Sequence, residues 1–250
     1  MEGHTISTAL VCASHSPLLH CYDKAPKDID QLQSAFQQTA QDIKDFDPEI
    51  VFAFGSDPFN GFFLKMMRAF CVDLATSATA DIGGYPSDLL VPKDALQCVE
   101  FLRNHDVDTA VSYDMTIDHA FSQIISEMLC GLDRVPVILI FINCITTPFV
   151  PFRRTRILGE TLGAFAETLG KHVLFLGPGG ISRHPTRYYP ALGEGEGELQ
   201  AWQISGTPRD GREPSRVKIL YYGSRDRHCG WSGSINERGL GGPWRIYKNF

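Results

Sequence analysis

The chain has 250 residues, is 43% hydrophobic and carries a formal net charge of −6, a composition that predicts a soluble globular protein able to bury a full core. Its acidic balance argues against nucleic-acid binding. The longest apolar run, around residues 135–142, is too short to cross a bilayer and instead predicts a buried strand.

The N-terminal sequence and the cysteines together predict a cytoplasmic protein. No basic stretch leads into an apolar segment at the start, so no signal peptide is predicted. The seven cysteines are scattered and form no C-x-x-C pair, which argues against a disulfide framework or a zinc knuckle. Several lie in apolar segments, where a free thiol behaves as a small hydrophobe, as expected in a reducing compartment.

Apolar runs alternate with amphipathic segments as far as Leu199, an order typical of an α/β protein. Strands are predicted at Thr8–Cys12, Ile50–Phe54, Val107–Ser112, Val135–Phe141 and Val173–Leu176. Helices are predicted at Asp28–Lys44, Lys93–Asn104, Asp118–Leu129 and Arg154–Leu169. Because the strands are continuously apolar, helices should cover both faces of the sheet. Residues 1–199 are therefore predicted to form one α/β domain with a mostly parallel central sheet flanked by helices.

Residues 200–250 differ in character from the rest of the chain. From residue 201 onward there are nine basic side chains, four acidic side chains and eight glycines. Helical periodicity is nearly absent, and only Val217–Tyr222 has the pattern of a strand. We predict an atypical, loop-rich Gly/Arg-rich C-terminal segment. Composition alone leaves open whether it is an irregular part of the fold or a disordered extension.

Four titratable side chains follow predicted strands, namely His15, Asp57, His119 and His184. The carboxyl ends of parallel strands meet at one edge of a sheet, so we expect these groups to lie along that edge. Imidazole exchanges protons near neutral pH and also binds metals. Each residue also has an ordinary explanation as a helix cap, a loop residue or a turn residue. The pattern therefore predicts an active site without naming its reaction.

Two further segments carry groups suited to a small aromatic substrate. Asp57 and Asn60 are polar positions among aromatic residues, which is the composition of an apolar pocket with a few polar contacts, although Asp-Pro and Asn-Gly are also common turn dipeptides. Arg153, Arg154 and Arg156 open a predicted helix and are suited to bind a carboxylate. Solvated surface arginines explain the same cluster equally simply.

These segments, taken in order, resemble the class III extradiol ring-cleavage dioxygenases. The resemblance extends from about Ala9 to Leu192, nearly without gaps. Its motifs are Ser14–Leu18, Asn60–Phe63, Ala110–Tyr113 with Asp118 and His119, and Phe152–Glu160.

The resemblance implies a homo-oligomer that cleaves a catechol with O2 at a mononuclear Fe(II). That family holds the iron with two histidines and a carboxylate, which leaves positions open for the substrate diol and for O2. His15 matches the first metal histidine. No residue matches the metal carboxylate, so Asp57 is taken as its candidate substitute, with Glu194 as the alternative. His119 matches a catalytic histidine that acts as a proton donor, and His184 is the candidate for the second catalytic histidine. Asn60 and Arg154 are candidates for binding the substrate.

The chain also departs from the family pattern. Pro58 stands where the family has its second metal histidine, and Arg183 stands where it has its second catalytic histidine, with His184 one residue later. The C-terminal segment contains no recognisable match to the family's metal carboxylate. An alternative is therefore a catalytically degenerate or truncated relative that acts as a subunit or binding protein. A metal-dependent hydrolase on a similar scaffold is the third hypothesis.

Overall fold

The computed structural model describes residues 7–13, 29–56, 66–79, 87–144, 147–178 and 244–245. The helices are α1 (Ile29–Phe46), α2 (Asp94–Asn104), α3 (His119–Leu129) and α4 (Phe152–Leu169). The strands are β1 (Thr8–Ala13), β2 (Ile50–Gly55), β3 (Phe70–Asp73), β4 (Thr76–Ala78), β5 (Ser87–Asp88), β6 (Ala110–Ser112), β7 (Met115–Ile117), β8 (Val137–Ile142), β9 (Val173–Pro178) and β10 (Trp244–Arg245).

A seven-stranded sheet in the order β10-β1-β9-β2-β8-β3-β6 forms the centre of the molecule. The strands from β10 to β8 are mutually parallel. β3 runs antiparallel to β8, and β6 runs parallel to β3. The predicted class, an α/β fold with a mostly parallel sheet flanked by helices, is confirmed.

Helices cover both faces of this sheet because its strands alternate apolar residues toward two separate layers. One layer, here called the α3 layer, packs Phe36 of α1 and Phe121, Ile124 and Ile125 of α3 against the sheet. The other, the α4 layer, packs residues of α2 and α4, among them Leu102 and Leu162, against the opposite face. The central strands are buried on both sides, which explains their uninterrupted apolar sequence.

A small second sheet in the order β5-β4-β7 was not predicted. Its strands are two or three residues long, too short to produce a recognisable alternation. The predicted strand at Val107–Ser112 is shorter in the structure, and it runs against the direction of β8 rather than with it. Strand direction depends on long-range pairing, and residue pattern does not encode it.

Two of the described helix ends follow local rules that the sequence does carry. Asp118 caps α3 by accepting a hydrogen bond from the Ala120 amide, and Gly170 ends α4 with a positive φ of 63°, as is common at this position. The domain boundary at residue 199 and the strand predicted at Val217–Tyr222 lie outside the described residues. Among the helices that are described, none is long and apolar enough to span a membrane.

Candidate active site

The carboxyl ends of β1, β9, β2 and β8 lie level at one edge of the sheet. Ala13 is in register with Pro178, and Gly55 is in register with Phe141. β1 and β2 lie on either side of β9, so their ends are about 10 Å apart at normal strand spacing. These strands lead into the segments that contain His15, Asp57 and His184. Those three side chains and Asn60 lie outside the described residues, and their roles stay predictions.

His119 reaches this edge by a route that the sequence analysis did not anticipate. Its preceding strand β6 runs in the reverse direction, so the carboxyl end of β6 does not belong to this edge. Instead β7 and α3 return the chain across the α3 layer. The ring of Phe121 lies directly over Gly55 at the carboxyl end of β2, where a Cβ built on the glycine would be 2.2 Å from Cζ of the ring. The first turn of α3, which contains His119, therefore lies at the end of β2.

The backbone beside His119 is fixed by Asp118. The Asp118 carboxylate accepts from the Ala120 amide at 3.1 Å, and its carbonyl accepts from the amides of Phe121 and Ser122 at 3.2 and 3.0 Å. Asp118 is 4% exposed, whereas the His119 side chain is half-buried. An imidazole held by a capped and buried turn, yet open on one side, is well placed to exchange a proton with a bound molecule.

Two buried polar side chains, one after β8 and one in α3, were not predicted as candidates from the sequence. Asn143 follows β8 directly, is 5% exposed and donates its backbone amide to the carbonyl of Ala69. Gln123 is fully buried one helical turn after His119, and residues four apart share a helix face. The available signals were an asparagine directly after an apolar run and a glutamine inside an apolar helix. Neither residue type is a usual metal ligand or acid–base group, so these signals do not by themselves indicate an active-site role.

The helical periodicity of α4 places Arg154 on a different face of the helix from Arg153 and Arg156. It lies four residues before Leu158, which packs in the α4 layer, and it is half-buried. Arg153 and Arg156 are exposed, and Arg156 pairs with Glu160 at 3.8 Å. The 18 residues of α4 span roughly 27 Å, enough to reach from the start of β9 back to the carboxyl edge. Arg154 thus lies toward that edge, on the face of α4 that packs against the sheet.

The described cysteines in the core have the properties of small hydrophobes. Burial raises the pKa of Cys71 and of Cys98 to about 12 and raises the pKa of Cys12. Their thiols are therefore protonated at neutral pH, and a protonated thiol is a poor metal ligand. Within the described ranges, no group of three or more His, Cys, Asp or Glu side chains is positioned to hold a metal. A metal at this edge would depend on the segments that follow β1 and β2.

Comparison with known proteins decides the family. Residues 9–197 match the model described as the catalytic LigB subunit of aromatic ring-opening dioxygenase. The chain belongs to the LigB family. This match covers most of the chain and every described element except β10.

Relatives of known name agree with the LigB assignment. The chain is 38% identical over 215 residues to the 2,3-dihydroxyphenylpropionate/2,3-dihydroxicinnamic acid 1,2-dioxygenase of Klebsiella pneumoniae, covering 84% of this chain and 68% of that protein. Identity to the proteins of that name in Dechloromonas aromatica and Escherichia coli is 35% and 40%, each over 80% of this chain and 63% of the relative. The chain spans about two thirds of the length of these relatives. The family match and these names support an extradiol dioxygenase by resemblance and do not favour a non-catalytic relative.

Proposed function

We propose that this LigB-family chain opens the ring of a catechol such as 2,3-dihydroxyphenylpropionate with O2, next to the diol, in the breakdown of aromatic compounds. The observation that carries the proposal is the family match over residues 9–197, together with a half-buried histidine at the carboxyl edge of the sheet. Relatives that carry the substrate in their names give the choice of substrate class.

The proposal includes Fe(II) as cofactor, with His15 and Asp57 as its ligands. Imidazole and carboxylate are the donors that non-haem iron sites use, and the strand ends that lead to these residues lie level on either side of β9. Pro58 has no donor atom, so the second histidine of the family pattern is absent from its usual position. When bound, the iron supplies the electron exchange between diol and O2 that no side chain can perform.

The side chains of the chain itself have proton-transfer and positioning roles in this proposal. His119 donates a proton to the substrate during the rearrangement that follows attack on the ring, and His184 is the candidate to take a proton from a catechol hydroxyl when the diol binds. Asn60 orients the substrate. The capped first turn of α3 keeps the imidazole of His119 in one place, so that little reorganisation is needed when the proton moves.

The first test combines iron content with oxygen uptake after anaerobic reconstitution with Fe(II). We expect near-stoichiometric iron, uptake of O2 with 2,3-dihydroxyphenylpropionate, and a product heavier by two oxygen atoms. Protein treated with a strong chelator serves as the control and should be inactive. Product formed without O2 consumption would instead support the hydrolase hypothesis. Iron at a trace level with no turnover would contradict the proposal, and in that case Pro58→His tests whether the missing ligand is the cause.

Arg154 is proposed to bind the carboxylate of the substrate side chain. A charge-assisted hydrogen bond contributes roughly 1.5–3 kcal/mol, so Arg154→Ala should raise KM for 2,3-dihydroxyphenylpropionate by about 10–100-fold while leaving KM for unsubstituted catechol nearly unchanged. The exposed neighbours Arg153 and Arg156 provide matched controls, and their alanine variants should behave like wild type. An equal rise in KM for both substrates in Arg154→Ala would refute this role.

A cytoplasmic homo-oligomer completes the proposal. The free cysteines of the described ranges fit a reducing compartment. Light scattering on the purified full chain measures the oligomeric state directly.

A further inference from the structure

A buried carboxyl lies at the bend where the chain leaves the main sheet for the small one. Asp73 ends β3, is fully buried, and accepts a hydrogen bond at Oδ2 from the Thr76 hydroxyl at the start of β4. Its Oδ1 is buried and has no hydrogen-bond donor among the described residues. Successive side chains of a strand lie on opposite faces of the sheet. Val72 packs in the α4 layer and Cys71 packs in the α3 layer. Asp73 is two residues after Cys71, so its carboxyl lies on the face that carries α3.

A continuous series of hydrogen bonds joins this bend to His119. Beyond the bend, the Met115 amide donates to the Ala75 carbonyl at 2.8 Å, and β4 pairs with β7. Both the amide and the hydroxyl of Thr79 then donate to the Ile117 carbonyl, at 3.0 and 3.2 Å. The next two residues are the cap of α3 and His119. The position of the α3 N-terminus therefore depends on the path that the Asp73 bend imposes on β4.

We propose that Asp73, through its hydrogen bond from Thr76, is a positioning residue that holds the β7–α3 junction and so sets the place of His119 at the carboxyl edge. The proposal rests on the proposed function for its catalytic meaning. The position of His119 itself can be measured without turnover.

The surroundings of Asp73 favour its neutral form. Burial raises the pKa of this carboxyl, and the hydrogen bond from Thr76 opposes the rise only in part. The adjoining strands β4, β6, β7 and β8 contain no ionisable side chain. Cys71 on the same strand is protonated at neutral pH, as is Cys98 of α2 on the opposite face. The amide side chain that Asp73→Asn introduces matches the carboxyl in size, keeps an acceptor oxygen for Thr76 and carries no charge.

Three variants distinguish the effect of the Thr76–Asp73 hydrogen bond from the effect of side-chain size at residue 73. Asp73→Asn keeps size and an acceptor oxygen, Asp73→Leu keeps size alone, and Thr76→Val removes the donor hydroxyl. Thr161→Val is the matched control, because Thr161 is another largely buried threonine whose hydroxyl bonds within α4 in the opposite layer. Each is made in the full chain. The readouts are the NMR titration of the His119 ring, amide exchange at Ala120 and Phe121, and kcat and KM for ring cleavage.

We expect Asp73→Leu and Thr76→Val to shift the pH midpoint of the His119 ring and to speed amide exchange at the start of α3. A misplacement near 1 Å lowers kcat by up to about 100-fold, and KM should change far less. Asp73→Asn and Thr161→Val should retain the wild-type His119 titration. Since the raised pKa favours the acid in the fold, wild-type stability should fall relative to Asp73→Asn as pH rises from about 4.

Unchanged His119 titration and amide exchange in folded Asp73→Leu would overturn the positioning role. Changes in His119 titration and amide exchange that are as large in Asp73→Asn as in Asp73→Leu would overturn it as well. If Asp73→Leu fails to fold, Thr76→Val decides with the same readouts. A chain that shows the expected NMR changes but no ring cleavage in any form would contradict the proposed function and leave the positioning role supported.

Discussion

Replacing His119 with alanine is expected to lower kcat for ring cleavage by about 10²–10⁴-fold, the usual contribution of a positioned acid–base group. The imidazole begins a buried helix at the carboxyl edge of the sheet, and its backbone is fixed by the Asp118 cap. Iron content should not change, because His119 is not among the proposed ligands. Steady-state oxygen uptake with and without the substitution, at matched iron loading, is the measurement.

The control for this experiment is His105→Ala. His105 is exposed beyond the end of α2 and contacts the Phe101 carbonyl of its own helix, so its removal should leave both kcat and iron content near wild type. An unchanged kcat in His119→Ala would exclude His119 from catalysis. Parallel loss of iron in His119→Ala would indicate that it is a metal ligand and would require a different ligand set.

Replacing Gly55 with alanine is expected to destabilise the protein and reduce activity together. The new Cβ would lie 2.2–2.7 Å from three ring atoms of Phe121, so the ring and the first turn of α3 must move. Overpacking of a tight core costs about 1–3 kcal/mol of unfolding free energy. Because that same turn carries His119, kcat should fall even in the fraction that remains folded. Urea denaturation and oxygen uptake on the same preparation test both effects.

Gly159 provides the matched glycine control. It lies on the exposed face of α4, where an added Cβ meets nothing within 4 Å. Alanine there should stabilise the protein by roughly 0.5–1 kcal/mol, since it removes the backbone entropy cost of a mid-helix glycine. Combining Gly55→Ala with Phe121→Leu removes the colliding ring and should restore part of the activity. A Gly55→Ala protein with wild-type stability would show that Phe121 adapts without moving α3.

Local sequence patterns predict most of the main elements and the class of the fold, but they do not predict β3. The helix predicted at Asp28–Lys44 is found at Ile29–Phe46, and the strand predicted at Ile50–Phe54 is found at Ile50–Gly55. These signals are local: continuous apolar runs are needed for strands buried on both faces, and amphipathic periodicity is needed for helices on one face. The start of α3 was also readable, because an aspartate cap satisfies the first amides of the helix.

The path by which His119 reaches the edge of the sheet depends on tertiary contacts. The strand before it runs opposite to the direction expected from the sequence, and the helix is brought back by the contact between Phe121 and Gly55. Packing likewise determines that Asp73 is buried. It also determines that Arg154 is half-buried while Arg153 and Arg156 are exposed. Strand direction, burial and close approach depend on residues far apart in the chain, so local pattern carries no record of them.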